Sequence, residues 1–430
     1  MSMSPRAFLE GLFRTAVAAA QPANCVPAHL PPVPASGRLV ILAAGKAGAS
    51  MAAAAERHYL DECGIPPARL SGIAVTRRGY GSPTRIVRVV EAGHPVPDEA
   101  GLAATRETLA SADAAGHEDV VIALISGGAS ANWIAPAAGL SLRDKQDVTR
   151  GLLASGAAID QVNAVRKHLS RIKGGRLAQH AYPARLASIA ISDVPGDDPA
   201  VIGSGPTVPD PGTLARARAV LAQYHLDAPE AVRRALADPA NETPKPGDPV
   251  FTNTSFALAM RPGEVLRAVE RAARAAGYDS VLLGAQIEGE AREMAAAHAR
   301  HALEVKAQGR RAVILSGGEL TVTLHGKGRG GPNQEYALAL ALALGEAPGI
   351  AALAADTDGT DGGAGVPEDP AGAFIDASTV ARARGLGLDP AAFLADNNST
   401  EFFAKLGDLL LSGPTLTNVN DFRVILVDTD

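Results

Sequence analysis

The sequence predicts an α/β fold in two domains, and two observations carry that prediction. Short apolar runs alternate with helical stretches along most of the chain, and several of these runs end in glycine, as at Gly45 and Gly127. Such alternation is typical of a parallel sheet with helices on both faces. Ligands of these sheets bind beyond the carboxyl ends of the strands, so the glycine turns mark candidate sites.

The first half of the chain contains five apolar runs that we interpret as short buried strands. The first ends in the turn Gly45-Lys46, and an alanine-rich helix follows it to about Tyr59. The predicted strands cover residues 38–44, 72–75, 85–91, 120–126 and 187–192, and the clearest helices between them cover 100–115 and 141–155.

A polar, proline-rich segment at residues 238–249 interrupts the alternation and predicts a linker. Beyond it the pattern restarts, which indicates a second α/β domain with a cleft between the two. The predicted helices are 263–277, 288–308 and 335–344, and the predicted strands are 280–283, 311–315, 320–324, 350–355 and 421–427.

Composition limits the kinds of partner and the compartment. The 430-residue chain has a net charge of -6 and no basic stripe, which makes nucleic acid an unsuitable partner. The two cysteines, Cys25 and Cys63, form no metal-binding pattern, and a disulfide framework is not expected, so a cytoplasmic location fits best. Residues 1–23 resemble a signal peptide only superficially, because Glu10 and Arg14 interrupt the apolar run. We predict an amphipathic helix there and no membrane-spanning segment.

Residues 316–363 contain the groups needed to hold a phosphate chain and its metal ion. Glycines let backbone N–H groups approach an anion, and Lys327 and Arg329 add positive charge. The carboxylates of Asp356, Asp358 and Asp361 suit a hard divalent cation. Phosphoryl transfer is therefore the first hypothesis, although an acidic surface turn has a similar composition.

Three strand-end turns are candidates for binding an anionic ligand. Lys46 follows Gly45 just before a helix and could contact an anionic oxygen, although a solvated lysine in a tight turn fits the spacing equally well. Two further turns could present rows of N–H donors, or could be ordinary turns, the second of them a hairpin. They are formed by Ser126, Gly127 and Gly128, and by Ser316, Gly317, Gly318 and Glu319.

Two other features leave alternatives open. The run from Asn163 to Arg176 is densely basic, which suits either a solvated helical face or groups that point toward an anionic ligand. Asp193 follows a predicted strand directly, where a carboxylate can accept a proton from a substrate hydroxyl or cap a turn.

A rival hypothesis comes from Gly326, Gly328 and Gly331, which satisfy the Gly-x-Gly-x-x-Gly pattern of dinucleotide-binding loops. It would make the protein an NAD(P)H-dependent reductase. Pro332 places the helix start after the third glycine, and several carboxylates near Asp356 suit Mg²⁺ better than a ribose hydroxyl. A non-catalytic sensor of sugar acids or nucleotides is a third possibility.

Taken together, the motifs resemble the glycerate 2-kinases whose C-terminal part is called the MOFRL domain, some of which are labelled hydroxypyruvate reductases. The matching motifs begin at Lys46, Gly93, Leu124, Asn163, Ser192, Gly203, Ser316 and Asp356, in the family's order and over nearly the whole chain.

The resemblance implies ATP-dependent phosphorylation of D-glycerate at the 2-hydroxyl, with Mg²⁺ or another divalent cation; the reductase is the alternative. It also implies a Rossmann-like N-terminal domain, a three-layer α/β/α arrangement with a mainly parallel sheet, and a smaller C-terminal α/β domain. We expect boundaries at 1–240, 241–310 for a connecting segment and 311–430, with the active site between the domains. The expected partners are D-glycerate and ATP, and a homodimer is left open.

The resemblance places four residues at positions suspected of catalysis and others among the expected ligands. The catalytic candidates are Lys46, Asp193, Arg329 and Asp356. The expected binding residues are Gly45, Ser126, Gly127, Gly128, Ser316, Gly317, Gly318, Glu319, Asn333 and Glu335, and the expected metal ligands are Asp356 and Asp358.

Overall fold

The computed structural model describes residues 4–363 and 366–429, which form two compact units. We call Cys25–Ala259 the N-terminal unit, and Met260–Asp430 together with Met1–Asn24 the C-terminal unit. These limits differ from the expected ranges, because the first helix packs with the C-terminal unit and residues 260–310 belong to it. The first helices are α1 (Pro5–Ala19) and α2 (Pro22–Cys25).

The N-terminal unit is built on a six-stranded sheet in the order β3-β2-β1-β4-β5-β6. Its strands are β1 (Leu39–Ala44), β2 (Leu70–Arg77), β3 (Arg88–Ala92), β4 (Val120–Ile125), β5 (Arg185–Ile191) and β6 (Thr254–Met260). Strands β1 to β5 run parallel, which confirms the predicted parallel sheet. The strand order reverses direction between β1 and β4, and in doubly wound sheets such a reversal opens a crevice at the carboxyl edge.

Helices cover this sheet, and a separate helical cluster extends from it. They are α3 (Gly48–Arg57), α4 (Glu99–Asp113), α5 (Ala129–Asn132), α6 (Leu142–Ala154), α7 (Ile159–His168), α8 (Arg176–Ala181), α9 (Leu214–Gln223) and α10 (Glu230–Ala237). Helices α6, α7, α9 and α10 share their own apolar core, which includes Leu152, Val165, Leu214 and Val232. Helix α7 is thus held by packing against α6 and α9.

The C-terminal unit has a mixed sheet in the order β13-β12-β11-β14-β9-β7. The strands of this unit are β7 (Asp279–Gly284), β8 (Gly289–Glu290), β9 (Ala312–Gly318), β10 (Leu320–Thr321), β11 (Ile350–Asp356), β12 (Gly372–Asp376), β13 (Leu409–Leu410) and β14 (Asp421–Val427). Strand β14 is antiparallel to both of its neighbours, β9 and β11. Strand β10 is shorter than the predicted 320–324, because it pairs only with β8 outside the main sheet.

Helix α1 is amphipathic, as predicted, and it buries its apolar face in the C-terminal unit. Leu9, Leu12 and Phe13 are buried. The helix packs against α11 (Pro262–Ala275), and the ring of Phe13 lies 6.1 Å from that of Phe422 in β14. Among the helices that the structure describes, none combines the length and apolarity that a membrane crossing needs.

Small side chains set the packing of the remaining helices of this unit. These are α12 (Ala291–Ala307), α13 (Pro332–Leu344), α14 (Thr379–Gly385), α15 (Pro390–Ala395) and α16 (Ser399–Leu406). Helix α12 packs against α13 through a face on which Ala291, Ala295, Ala299 and Ala302 are fully or almost fully buried. Alanine at these positions lets the two helices approach closely and fill the interior without a large residue.

We therefore expect the substitution Ala299→Leu to destabilise the protein by about 1 to 3 kcal/mol, the usual cost of overpacking a filled core. Urea unfolding, followed by the midpoint and slope of the transition, measures the change. The control is Arg300→Leu, at the neighbouring exposed position of α12, which should leave the midpoint nearly unchanged. Equal midpoints for both variants would contradict the close packing of α12.

Candidate functional site

The first candidate residues lie at the carboxyl end of β1, where the strand order of the N-terminal unit reverses. Gly45 has a φ of 111°, and a Cβ atom there would lie 2.4 Å from the carbonyl oxygen of Ser126. Glycine is therefore required for both conformation and space. Lys46 follows it, is half-buried, and donates its backbone N–H to the carbonyl oxygen of Gly127 at 2.7 Å. The turns after β1 and β4 are thus joined directly.

The turn after β4 supports the start of helix α3. Ser126 is fully buried, and its hydroxyl oxygen accepts the backbone N–H of Ala47, the residue before α3, at 2.9 Å. Gly128 has a φ of 83°, and a Cβ atom there would lie 2.9 Å from the ring of His94 and 3.5 Å from Cγ of Lys46. The structure therefore brings together four predicted residues, Gly45, Lys46, Ser126 and Gly128, with His94 beside them.

Asp193 lies at the same edge of the sheet, two residues beyond β5 and half-buried. Several residues of the loop that follows have positive φ values. Asp197 and Ser204 have φ values of 55° and 66°, although neither is glycine. Such conformations persist only where the surroundings impose them and are frequent at functional sites. The hydroxyl oxygen of Ser204 lies 2.7 Å from that of Ser130 in α5, so the loops after β4 and β5 are also linked.

Sequence reasoning did not single out Ser130, Ser204 or His94 as site residues. All three lie inside motifs that were noted, but their significance depends on contacts between segments distant in sequence. The 2.7 Å contact between Ser130 and Ser204 joins residues 74 positions apart. Ser130 and Ser204 could have been found from the sequence, because serine and glycine occur together both after β4 and in residues 203–205.

In the C-terminal unit, the turn at the end of β9 is filled by a buried arginine from β14. Arg423 is 1% exposed, and it donates to the hydroxyl oxygen of Ser316 at 3.3 Å and to the carbonyl oxygen of Gly317 at 2.6 Å. It also pairs with Asp421 at 2.8 Å. Gly318 has no room for a Cβ atom, which would lie 2.2 Å from the nitrogen of Ile287. Glu319, the next residue, is exposed.

The glycine loop at residues 326–331 differs from the predicted anion cradle. Its backbone N–H groups are used within the protein: those of His325 and Gly326 bond to Asn397 Oδ1, that of Lys327 to Asp396 Oδ1 and that of Arg329 to Asn398 Oδ1. A Cβ atom on Gly326 would lie 2.2 Å from the carbonyl oxygen of Asp396. The glycines therefore let this loop pack against residues 396–398. The loop is also not a dinucleotide-binding turn, because β10 lies outside the main sheet.

Arg329 projects from this loop with its side chain 67% exposed and lies 3.6 Å from a carboxylate oxygen of Asp369. The cation of this long pair is open to solvent, whereas the side chain of Asp369 is only 2% exposed. The guanidinium is therefore accessible to a ligand.

The aspartates after β11 have different environments. Asp356 is half-buried and accepts the backbone N–H of Asp358 at 2.9 Å. Asp358 is fully buried, and one of its oxygens accepts the backbone N–H and the hydroxyl of Thr360, at 2.7 and 3.0 Å. Asp356 is therefore the more accessible of the two expected metal ligands.

Asp361 caps helix α13 from this loop. One carboxylate oxygen accepts the backbone N–H of Asn333 at 3.0 Å, and the other accepts that of Gln334 at 2.9 Å. Burial raises the pKa of Asp361 to about 7, against the hydrogen bonds from Asn333 and Gln334, which lower it. The amide nitrogen of the Asn333 side chain also donates to Asp421 at 2.6 Å, so one asparagine links two buried carboxylates.

Glu335 is another buried carboxylate whose partners are groups of the protein itself. It is 1% exposed and accepts hydrogen bonds from Arg292 Nε at 2.6 Å and Asn397 Nδ2 at 3.1 Å. Burial raises its pKa, although the bonded Arg292 opposes the rise. The side chains of Ser316, Asn333 and Glu335 bond to protein groups in the interior, and the ligand-binding roles expected for these residues stay predictions.

Comparisons with known proteins cover almost the whole chain. The family model described as "Domain of unknown function (DUF4147)" matches residues 8–237, and the model of the MOFRL family matches residues 312–421. A relative from Agrobacterium vitis with the provisional name hydroxypyruvate reductase is 47% identical over 99% of this chain and 95% of its own length. A glycerate 2-kinase from Pyrococcus horikoshii is 39% identical, with 91% and 88% covered.

A solved structure matches as well. The crystal structure of glycerate kinase from Thermotoga maritima superposes with a TM-score of 0.85 at 36% identity, and the match covers 98% of each chain. The two-domain α/β fold therefore agrees with that of an enzyme of known structure. The chain belongs to the glycerate kinase family, in which a DUF4147 domain is followed by a MOFRL domain.

Proposed function

We propose that this protein is a glycerate 2-kinase, which transfers the γ-phosphoryl group of ATP to the 2-hydroxyl of D-glycerate and releases 2-phosphoglycerate and ADP. The observation that carries the proposal is the pair of turns joined by the Lys46 to Gly127 hydrogen bond at the strand-order reversal. A lysine at that edge suits an anionic substrate. The names of the Pyrococcus and Thermotoga relatives support the same activity. A cytoplasmic location and a homodimer stay predictions.

Phosphoryl transfer depends on positioning and on neutralising the charge of the moving group. In the N-terminal unit, Lys46 would contact the transferring phosphate. Asp193 would accept the proton of the substrate hydroxyl or orient it, since its carboxylate follows β5 at the edge where Lys46 lies. In the C-terminal unit, the exposed guanidinium of Arg329 has the planar fork that suits a carboxylate or a phosphate.

The residues after β11 fit a divalent cation held largely by the nucleotide. Among the residues that the structure describes, no three His, Cys, Asp or Glu side chains are grouped as a metal-binding site. Kinases commonly bind Mg²⁺ through one or two carboxylates and the substrate phosphates. Asp356, with Asp358 behind it, would supply those carboxylates. When bound, the cation would neutralise phosphate charge.

The reductase alternative has one observation in its favour, the provisional name of the Agrobacterium relative. In its predicted dinucleotide loop, the N–H groups of Gly326, Lys327, Gly328 and Arg329 already donate to residues 396–398, so they do not face a pyrophosphate. We therefore rank it second.

The purified protein should form 2-phosphoglycerate from D-glycerate, ATP and Mg²⁺ in an assay coupled through enolase. ADP release is measured in parallel, and NADH with hydroxypyruvate is the comparison reaction. NADH oxidation without any ADP release from glycerate would overturn the kinase proposal.

The substitutions Lys46→Ala and Asp193→Asn should each lower kcat/KM about a hundredfold or more, as expected when a positioning or acid–base group is lost. Thermal unfolding should stay close to that of the unmodified protein. The controls are Arg57→Ala, at the exposed end of α3, and Asp227→Asn, whose side chain is 99% exposed. If kcat/KM of Lys46→Ala equals that of Arg57→Ala, Lys46 has no part in the mechanism. The same holds for Asp193 if Asp193→Asn equals Asp227→Asn.

Asp356→Asn should weaken Mn²⁺ binding in the presence of ADP about tenfold, the lower end of the effect typical for altered metal surroundings. Electron paramagnetic resonance measures free Mn²⁺ and does not depend on turnover. Asp279→Asn, at an aspartate whose side chain is 62% exposed, is the control. Unchanged Mn²⁺ affinity would exclude Asp356 as a ligand.

A further inference from the structure

Three cations lie close together among the helices of the N-terminal unit. Lys145 in α6 and Lys173 between α7 and α8 are 4% and 0% exposed, and Arg166 in α7 is half-buried. The amine of Lys145 donates to the carbonyl oxygens of Arg166 and Leu169, at 3.3 and 3.0 Å. Arg166 and Lys173 belong to the basic run at residues 163–176, for which the sequence left open a solvated face or an anion-binding role, and Lys145 lies outside that run.

No carboxylate compensates these charges in residues 4–363 and 366–429. Within that part of the chain, Lys145 and Lys173 donate only to main-chain carbonyl oxygens, and the side chain of Arg166 makes neither a hydrogen bond nor an ion pair. Two other carboxylates serve other cations: Asp210 pairs with Lys167 at 3.2 Å, and Glu242 pairs with Lys245 at 2.6 Å.

The cluster is electrostatically unfavourable without a counter-charge. Burial, followed by the positive charges of Arg166 and Lys145, lowers the pKa of Lys173. Burial likewise lowers the pKa of Arg166. Buried charges of one sign are costly unless paired, and a bound anion would remove that cost.

The cluster adjoins the loops at the carboxyl edge of the sheet. The amine of Lys173 donates to the carbonyl oxygen of Ser130 at 2.7 Å, two residues beyond Gly128. The backbone N–H of Gly174 donates to the carbonyl oxygen of Ser204 at 3.0 Å. The segment that carries Lys173 therefore holds both the loop after β4 and the loop after β5.

We propose that Arg166 is the contact residue of an oxyanion-binding subsite, with the charges of Lys145 and Lys173 behind it. A guanidinium has five N–H donors in a planar fork that matches a carboxylate or a phosphate. The half-buried Arg166 side chain has no protein acceptor for these donors in the described residues. The inference deepens the proposed function and rests on it for the source of the anion, which is the D-glycerate carboxylate or a phosphate of ATP.

The test uses the full-length protein and the variant Arg166→Gln, with Arg171→Gln as the control at an exposed arginine of the same segment. Isothermal titration calorimetry gives Kd for D-glycerate, inorganic phosphate and ATP. Arg166→Gln should raise Kd for the occupant about tenfold to a hundredfold, the loss expected for hydrogen bonds to a charged group. The Kd of Arg166→Lys should lie between those of the unmodified protein and Arg166→Gln, because lysine keeps the charge but lacks the planar fork of donors.

Thermal unfolding supplies a readout that a structural role would not give. Without ligand, Arg166→Gln should unfold at the same temperature as the unmodified protein or higher, since it relieves repulsion among the cations. With saturating ligand, the unmodified protein should gain stability and the variant should gain less. A Tm several degrees lower in the ligand-free variant would assign Arg166 a structural role and overturn the inference.

The ligands separate the remaining outcomes. Weakened binding of D-glycerate alone assigns the subsite to the carboxylate, and weakened binding of ATP and inorganic phosphate alone assigns it to a phosphate. Equal affinities in Arg166→Gln and Arg171→Gln for all three ligands would overturn the inference. If Arg166→Gln weakens anion binding but the unmodified protein forms no 2-phosphoglycerate, the subsite is supported and the kinase proposal fails.

Discussion

The parallel alignment of β1, β4 and β5 is the constraint on which the candidate site depends. Ala44 pairs in register with Ile125, and Ile125 with Ala190, so three strands end at one level. Residues that are more than sixty positions apart in sequence are thereby placed at one edge. The short turns at that edge then need glycine and a buried serine, because two backbones approach within hydrogen-bonding distance there.

The sequence allowed much of this edge to be predicted, because its signals are local. An apolar run followed by glycine identifies the end of a buried strand, and Gly45, Ser126 and Asp193 were found in this way. The roles of Asn333 and Glu335 could not be predicted, because their partners lie far along the chain, at Asp361 and at Arg292. Strand β6 was missed for a different reason: its apolar run, residues 256–260, is short and follows the polar residues 252–255, and most of the strand is only half-buried.

The glycine loop at residues 326–331 shows how one composition can serve two physical purposes. Glycine permits a close approach to a ligand, but it equally permits a close approach to another loop of the same protein. Here the side chains of Asp396, Asn397 and Asn398 accept the loop's N–H groups. Nothing near residue 326 in the sequence signals these acceptors, so the predicted cradle could not be distinguished from an internal loop contact.

Helix α1 gives the C-terminal unit an unusual dependence on the order of synthesis. Its residues are synthesised before Cys25–Ala259, yet its partners, among them Tyr278 and Phe422, are synthesised only after that whole unit. The N-terminal unit can fold as soon as it is complete, as domains generally do during translation. The apolar face of α1 must remain without its final partners throughout that interval, so its side chains are open to unwanted contacts while the N-terminal unit is being made.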